Sequence, residues 1–173
     1  MKIESIKIKN FRLLDNVTIN LEDDLTLIVG KNNTGKTSLF EVINIFTQQG
    51  YEFKFEDFSQ NTYLKFKGVY NLYSKYLKIT DEKFKERVEK RILKNIPKIQ
   101  FILKIVYDTQ NDSLIHLSEF ITDLDETKNE ASILLSYEPK ESLNLFKSFL
   151  GRKDQKTELI AWLKNNLKTF YHI

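Results

Sequence analysis

Eight consecutive residues carry the chemistry most readable in this chain: Gly30-Lys31-Asn32-Asn33-Thr34-Gly35-Lys36-Thr37. They match G-x-x-x-x-G-K-[ST], the phosphate-binding loop or Walker A pattern. Such a loop turns its backbone N–H groups inward around a triphosphate. Gly30 permits a sharp exit from the preceding segment, and Gly35 lets the backbone approach the phosphates where a Cβ would obstruct. Lys36 brings a positive charge to the β and γ oxygens, which makes it the catalytic candidate. The Thr37 hydroxyl is the candidate Mg²⁺ ligand. A helix starting near Lys36 aims its positive dipole end, with Ser38 in its first turn, at the anion. Four fixed positions at this spacing arise by chance in about 0.5% of chains of this length.

The flanking sequence supplies the setting the loop needs. Leu25-Thr26-Leu27-Ile28-Val29 is a nearly continuous apolar run, read as a strand buried on both faces and leading into Gly30. From Ser38 to Gln48, Leu39, Val42, Ile43 and Phe46 recur at helical spacing, with Phe40 and Ile45 on other faces. Upstream, Ile3, Ile6 and Ile8 and then Val17, Ile19 and Leu21 alternate with polar residues as strands, separated by a break at Asn10-Phe11-Arg12. Downstream, residues 50–66 are aromatic and irregular, and 69–95 is a charged helical segment with a break expected near Thr80. Strands are expected at Ile99–Tyr107 and Ala131–Tyr137, and residues 112–124 are ambiguous, compatible with a short helix. Helices are expected at 139–150, with Pro139 just inside the start and Gly151 past the end, and at 154–171 with Asp154 as cap.

Composition bounds the rest. The 173 residues suit one domain or a lobe of a larger one. Zero cysteines exclude disulfides, thiolate metal sites and a cysteine nucleophile, and two histidines leave little material for a His-based triad. The net charge of +3 comes from 27 basic against 24 acidic residues, so charge alone says little about a nucleic-acid partner. No apolar run reaches the roughly 18–20 residues of a membrane span, and the first residues lack a signal peptide's apolar stretch. The expectation is a cytoplasmic protein with no membrane partner.

Three stretches together carry a family resemblance: Ile6-Lys7-Ile8-Lys9-Asn10-Phe11-Arg12, the narrower wording Leu27-Ile28-Val29 through the loop to Thr37-Ser38-Leu39, and Glu41 followed by Asp57-Phe58. Over residues 1–60 the chain resembles the N-terminal part of ABC-type ATPase heads of the RecF/SMC kind, and most of all the OLD (overcoming lysogenisation defect) family. The resemblance implies an α/β P-loop NTPase of ABC-ATPase type, its antiparallel strands flanking the P-loop strand. The domain reading is a single, incomplete head over 1–173 with the helical segment 69–95 inside it. The implied cofactors are ATP and Mg²⁺. The implied partners are a second head in a homodimer or larger oligomer, and nucleic acid in the intact protein, in DNA repair or phage defence. Lys36 and Thr37 keep the roles above, Asn33 lies near the γ-phosphate, and Lys9 to Arg12 lie near the nucleotide's edge. Gln60 is the candidate for the Q-loop glutamine.

The hydrolytic motifs of such a head are not evident. Leu117-Ser118-Glu119-Phe120 lacks the glycines of a signature loop. Ile105-Val106-Tyr107-Asp108 has a Walker B-like Asp but Thr109 where a Glu belongs. Ser132–Pro139 resembles the family's apolar-Asp-Glu-Pro ending, yet Tyr137 stands in the Asp position beside Glu138. His116 and His172 are the only switch-histidine candidates. The expectation is an ATP-binding lobe whose hydrolytic residues come from downstream or from a partner. The alternative is a stand-alone nucleotide-binding regulatory module. A GTPase or small-molecule kinase fits less well, because no Asn-Lys-x-Asp motif and no Arg-rich lid are present.

Overall fold

A computed structural model describes residues 1–47, 51–108, 129–152 and 156–173. β1 (Lys2–Phe11) and β2 (Leu14–Asn20) form a hairpin closed by the two-residue turn Arg12-Leu13. Helix α1 (Lys36–Thr47) follows the phosphate-loop segment, and a 3₁₀ turn at Phe55–Asp57 leads into α2 (Gln60–Tyr76) and α3 (Glu82–Asn95). Then come β3 (Ile99–Val106), β4 (Glu130–Pro139), α4 (Ser142–Leu150), α5 (Leu159–Phe170) and the short β5 (Tyr171–His172). The sheet order is β2-β1-β3-β4-β5, antiparallel throughout among the described residues.

Period-two alternation decides which face is covered. Val17, Ile8, Phe101 and Leu135 stand in one cross-strand row, and Ile19, Ile6, Leu103 and Ile133 in another. In the first row Ile8 and Phe101 are fully buried beneath the helices. The opposite face carries Lys7, Thr18, Lys9 and Asn16, which is how an antiparallel sheet with one solvated face is written. Over the covered face an aromatic cluster replaces a simple aliphatic core. Phe53 stacks on Tyr137 with centroids 4.5 Å apart, Tyr137 meets Tyr171 at 5.1 Å, and Phe58 packs edge-on against Phe66 and Tyr171. The Tyr171 hydroxyl donates to the Pro97 carbonyl at 2.9 Å, so its burial leaves no unmet donor.

Several sequence expectations need correction. Leu25–Val29 is not a strand: it has no ladder partner among the described residues, and Leu25, Leu27 and Val29 are 78–80% exposed. A strand exists only by pairing, and apolarity alone supplies no partner; of this run Ile28 alone is noted as packing against the core. The break expected near Thr80 is present and divides the segment into two helices, but α2 starts at Gln60, inside the stretch read as irregular. The break falls before Asp81, whose carboxylate accepts from the Phe84 N–H at 2.6 Å and caps α3. Pro139 ends β4 instead of opening a helix, which starts at Ser142. The last helix starts at Leu159, after Asp154, which lies outside the described residues, as do Gln48 and residues 112–124.

Candidate functional site

The backbone shapes the loop by two left-handed residues, Asn33 with φ 64° and Gly35 with φ 92°. A Cβ on Gly35 would stand 3.0 Å from Leu14 Cδ2 and 3.5 Å from Leu13 Cβ, so the β1–β2 turn presses directly on the loop. A Cβ on Gly30 would stand 2.9 Å from the Thr34 hydroxyl. Gly35 is favoured by its left-handed backbone and the tight approach of Leu14, and a side chain at Gly30 would have to displace the Thr34 hydroxyl. Thr34 ties the loop internally by donating from Oγ1 to the Lys31 carbonyl at 2.8 Å. The Gly35 carbonyl accepts the first helical bond, from Leu39 N at 2.9 Å, so α1 starts directly at the loop.

Lys36 folds back along the loop, and its Nζ donates to the Lys31 carbonyl at 2.7 Å and also to the Gly30 carbonyl. Leu13, Asn32, Asn33, Gly35, Lys36 and Thr37 share a cleft of about 280 Å³, which Ser38 also lines. Lys31, Asn32, Asn33, Thr34 and Thr37 are exposed, whereas Ser38 is buried at the root of α1. The cleft thus brings together most of the loop candidates. It is polar, open, and set at a helix N-terminus with an ammonium beside it, a donor set that suits an anionic oxygen ligand.

Arg12 sits differently. Its backbone has φ 45°, in the hairpin turn. Its guanidinium donates from Nε to Asp57 Oδ1 at 2.9 Å, also pairs through Nη2 at 2.9 Å, and pairs with Glu41 of α1 through Nη1. The Arg12 N–H donates to the Asp57 carbonyl at 2.8 Å. Asp57 is 3% exposed and also accepts from Lys54 N at 2.9 Å and Tyr51 Oη at 3.1 Å. Arg12 therefore clamps the hairpin turn, α1 and the 3₁₀ turn together behind the loop. Glu41 and Asp57 carry the family resemblance in sequence, but their convergence on Arg12 is visible only in the fold. Burial raises the Tyr51 phenol, with Asp57 adding to the shift.

The remaining candidates are scattered. Gln60 is exposed at the start of α2, and Asn10, not Gln60, ties that region to the sheet: its carbonyl accepts from Ser59 N at 2.9 Å and its amide donates to the Lys98 carbonyl at 2.7 Å. Glu138 pairs with Lys98 at 2.6 Å, and that bond lowers its pKa. Tyr137 is buried in the aromatic cluster, and burial raises its phenol strongly. His172 is exposed on β5, Asp108 follows β3, and His116 and Leu117–Phe120 lie outside the described residues. Among the described residues no group of three or more His, Asp or Glu side chains is placed to hold a metal, and no helix is long and apolar enough to cross a membrane.

Comparison with known proteins adds the kinship. The chain is 39% identical over 62 residues to a DNA double-strand break repair Rad50 ATPase of Methanococcus maripaludis, covering 35% of this chain and 6% of that protein. It is 29% identical over 140 residues to an endonuclease GajA of Bacillus cereus, covering 79% of this chain and 19% of that protein. The chain thus matches only a small part of either relative. No solved structure matches it significantly. The expected resemblance to an OLD- or RecF/SMC-type ATPase head is borne out at this level. The family model for the AAA ATPase domain matches residues 1–173 throughout, and the chain belongs to that family.

Proposed function

We propose that this chain is the ATP-binding lobe of an OLD-like or RecF/SMC-like ATPase acting in DNA metabolism or phage defence. The observation that carries the reading is the loop itself: a left-handed Gly35 wedged against Leu14, opening directly into α1, with Lys36 arched over the carbonyls of Gly30 and Lys31. Phosphate oxygens entering the cleft would take Lys36 Nζ from those carbonyls. Backbone N–H groups from Asn33 to Ser38 would hold the β-phosphate, and Thr37 Oγ1 would ligate Mg²⁺. ATP supplies the phosphoanhydride; Lys36 stabilises charge developing on the transferred phosphoryl group.

The carboxylates that activate water come from outside the described residues, from further chain or from a partner head. Two observations support this. Glu138 is committed to Lys98, and among the described residues the apolar segment Leu25–Val29 has no strand beside it. Arg12 takes a positioning role toward the loop through Glu41, and its reach to the nucleotide's edge requires release from that pair.

Calorimetry of Mg-ATP binding to this chain and to Lys36→Ala tests the reading. Saturable binding that the variant loses, with folding intact by circular dichroism, is the expected result. Wild-type affinity in Lys36→Ala would overturn it. A further expectation is negligible turnover, below about 0.01 per second, the range of slow intact P-loop enzymes.

A further inference from the structure

Away from the loop, α2 and α3 flank an open groove of about 530 Å³. Lys65 and Lys75 line it from α2, and Arg91 from α3, with the amides of Asn71 and Asn95 between them. No carboxylate lines the groove among the described residues, although the chain as a whole is nearly charge-balanced. Several cations elsewhere are ion-paired: Lys90 with Glu86, Lys98 with Glu138, Lys104 with Glu4 and Glu130, and Arg12 with Asp57. Lys65 donates to the neutral Asn10 side chain at 3.2 Å and stands close enough to Asp15 to help lower that carboxyl's pKa.

A second observation concerns Gly68, in the interior of α2 on the groove wall. Glycine is disfavoured in a helix interior relative to alanine. Usually close packing explains one, but an added Cβ here would meet nothing within 4 Å. Packing within this chain does not require a glycine there, and the bare helix backbone leaves room for a ligand against it.

We propose that the α2–α3 groove binds the sugar-phosphate backbone of nucleic acid. Lys65 and Lys75 are ten residues apart on one helix face, about 15 Å at 1.5 Å per residue. Since successive phosphates along one strand are about twice as far apart as the roughly 3.4 Å rise per nucleotide on the duplex axis, that reaches across about three phosphates. A single phosphate would call for charges converging on one point, and these are spread along a line. An apolar protein anchor would need a hydrophobic pocket, whereas the groove offers cations, amides and a bare stretch of helix. The contacts are to backbone, so the groove carries no base sequence preference. The inference does not depend on nucleotide binding at the loop.

Fluorescence anisotropy with a labelled 25-base-pair DNA duplex, without nucleotide, tests it on this chain. Three cations on three phosphates predict a slope of log K against log salt of about −3, a loss of about 40-fold between 50 and 200 mM salt. Lys75→Glu with Arg91→Glu should weaken binding at least tenfold at 50 mM and flatten the slope by about two. Gly68→Leu grows from a Cβ that meets nothing within 4 Å and replaces a poor helix former by a good one, so it should fold normally and weaken binding at least fivefold. A charge-matched control at α4, Lys140→Glu with Lys147→Glu, and the loop variant Lys36→Ala should bind within twofold of wild type. No binding at 50 mM, an equal loss in the α4 control, or unchanged binding in Gly68→Leu with Lys75→Gln and Arg91→Gln would overturn the proposal. So would competition by polyglutamate as effective as unlabelled DNA at equal charge, which would assign the groove to an acidic protein. Because Lys36→Ala is read in the same assay, failure here is distinct from failure of the ATP reading.

Discussion

Replacing Asp57 by Ala should expose how much of the fold hangs on the Arg12 clamp. The carboxylate is 3% exposed and accepts from four donors: Arg12 Nε and Nη2, Lys54 N and Tyr51 Oη. Removing it takes an acceptor from the Lys54 amide and the Tyr51 hydroxyl, at about 0.5–1.5 kcal/mol for each hydrogen bond lost, eased by water because both residues are exposed. Arg12 loses its better partner, but its side chain is 33% exposed and keeps Glu41 and water. That moderates the penalty of about 3–5 kcal/mol typical of a broken buried pair. The expected net loss is about 3 kcal/mol, or roughly 6–12 °C in Tm for a chain of this size. Urea unfolding followed by the fluorescence of Trp162, the single tryptophan, which packs between Phe149 and Phe170, reads it directly. The double-mutant cycle with Arg12→Leu should then show a coupling of about 1.5 kcal/mol or more, since both changes break the same bonds. A loss below about 0.5 kcal/mol, the range of ordinary surface substitutions, or strict additivity with Arg12→Leu, would refute the clamp.

Tyr137→Phe should stabilise the chain by about 1 kcal/mol, because the Tyr137 hydroxyl is buried without a hydrogen-bond partner among the described residues; a destabilisation in the same urea assay would contradict this. Burial raises the Tyr137 phenol, so the native state favours its neutral form. That contribution is complete below about pH 10, the ordinary tyrosine value, and is lost as pH rises through the higher folded value. The alkaline limb of a stability-against-pH curve should accordingly flatten in Tyr137→Phe. Asp15 is shifted the other way: hydrogen bonds from Ser59 at 2.6 Å and Asn61 at 3.0 Å lower its pKa. Its contribution is present above about pH 4 and fades as pH falls through the lower folded value, so Asp15→Asn should weaken the acid dependence between about pH 4 and 2. Gly35→Ala should cost about 1–3 kcal/mol from positive φ and the 3.0 Å approach to Leu14, and unchanged urea midpoints would show that the loop relaxes freely.

Local rules read much of this chain from its sequence. The phosphate loop depends on glycines and a lysine at fixed spacing, and the fold supplies a spatial reason for both glycines. The strands β1 and β2 follow from alternation, because a sheet with one wet face prints its burial into the sequence, and β3 follows from its richness in β-branched and aromatic residues. Helix α1 follows from apolar spacing, and the family kinship from short motifs. Tertiary structure decided the rest. Leu25–Val29 has the composition of a buried strand and no neighbour to pair with, and pairing is a property of two segments. Residues 60–66 were helical despite their aromatic density, because Phe66 and Tyr63 pack on Phe55 and the helix places them there. Arg12, a plausible phosphate ligand by its motif, is held by Glu41 and Asp57, which lie 29 and 45 residues away. Spacing along the chain reports periodic and local geometry. Which distant carboxylate meets which guanidinium, and which strand finds an edge, is fixed only when the sheet and helices close around one another.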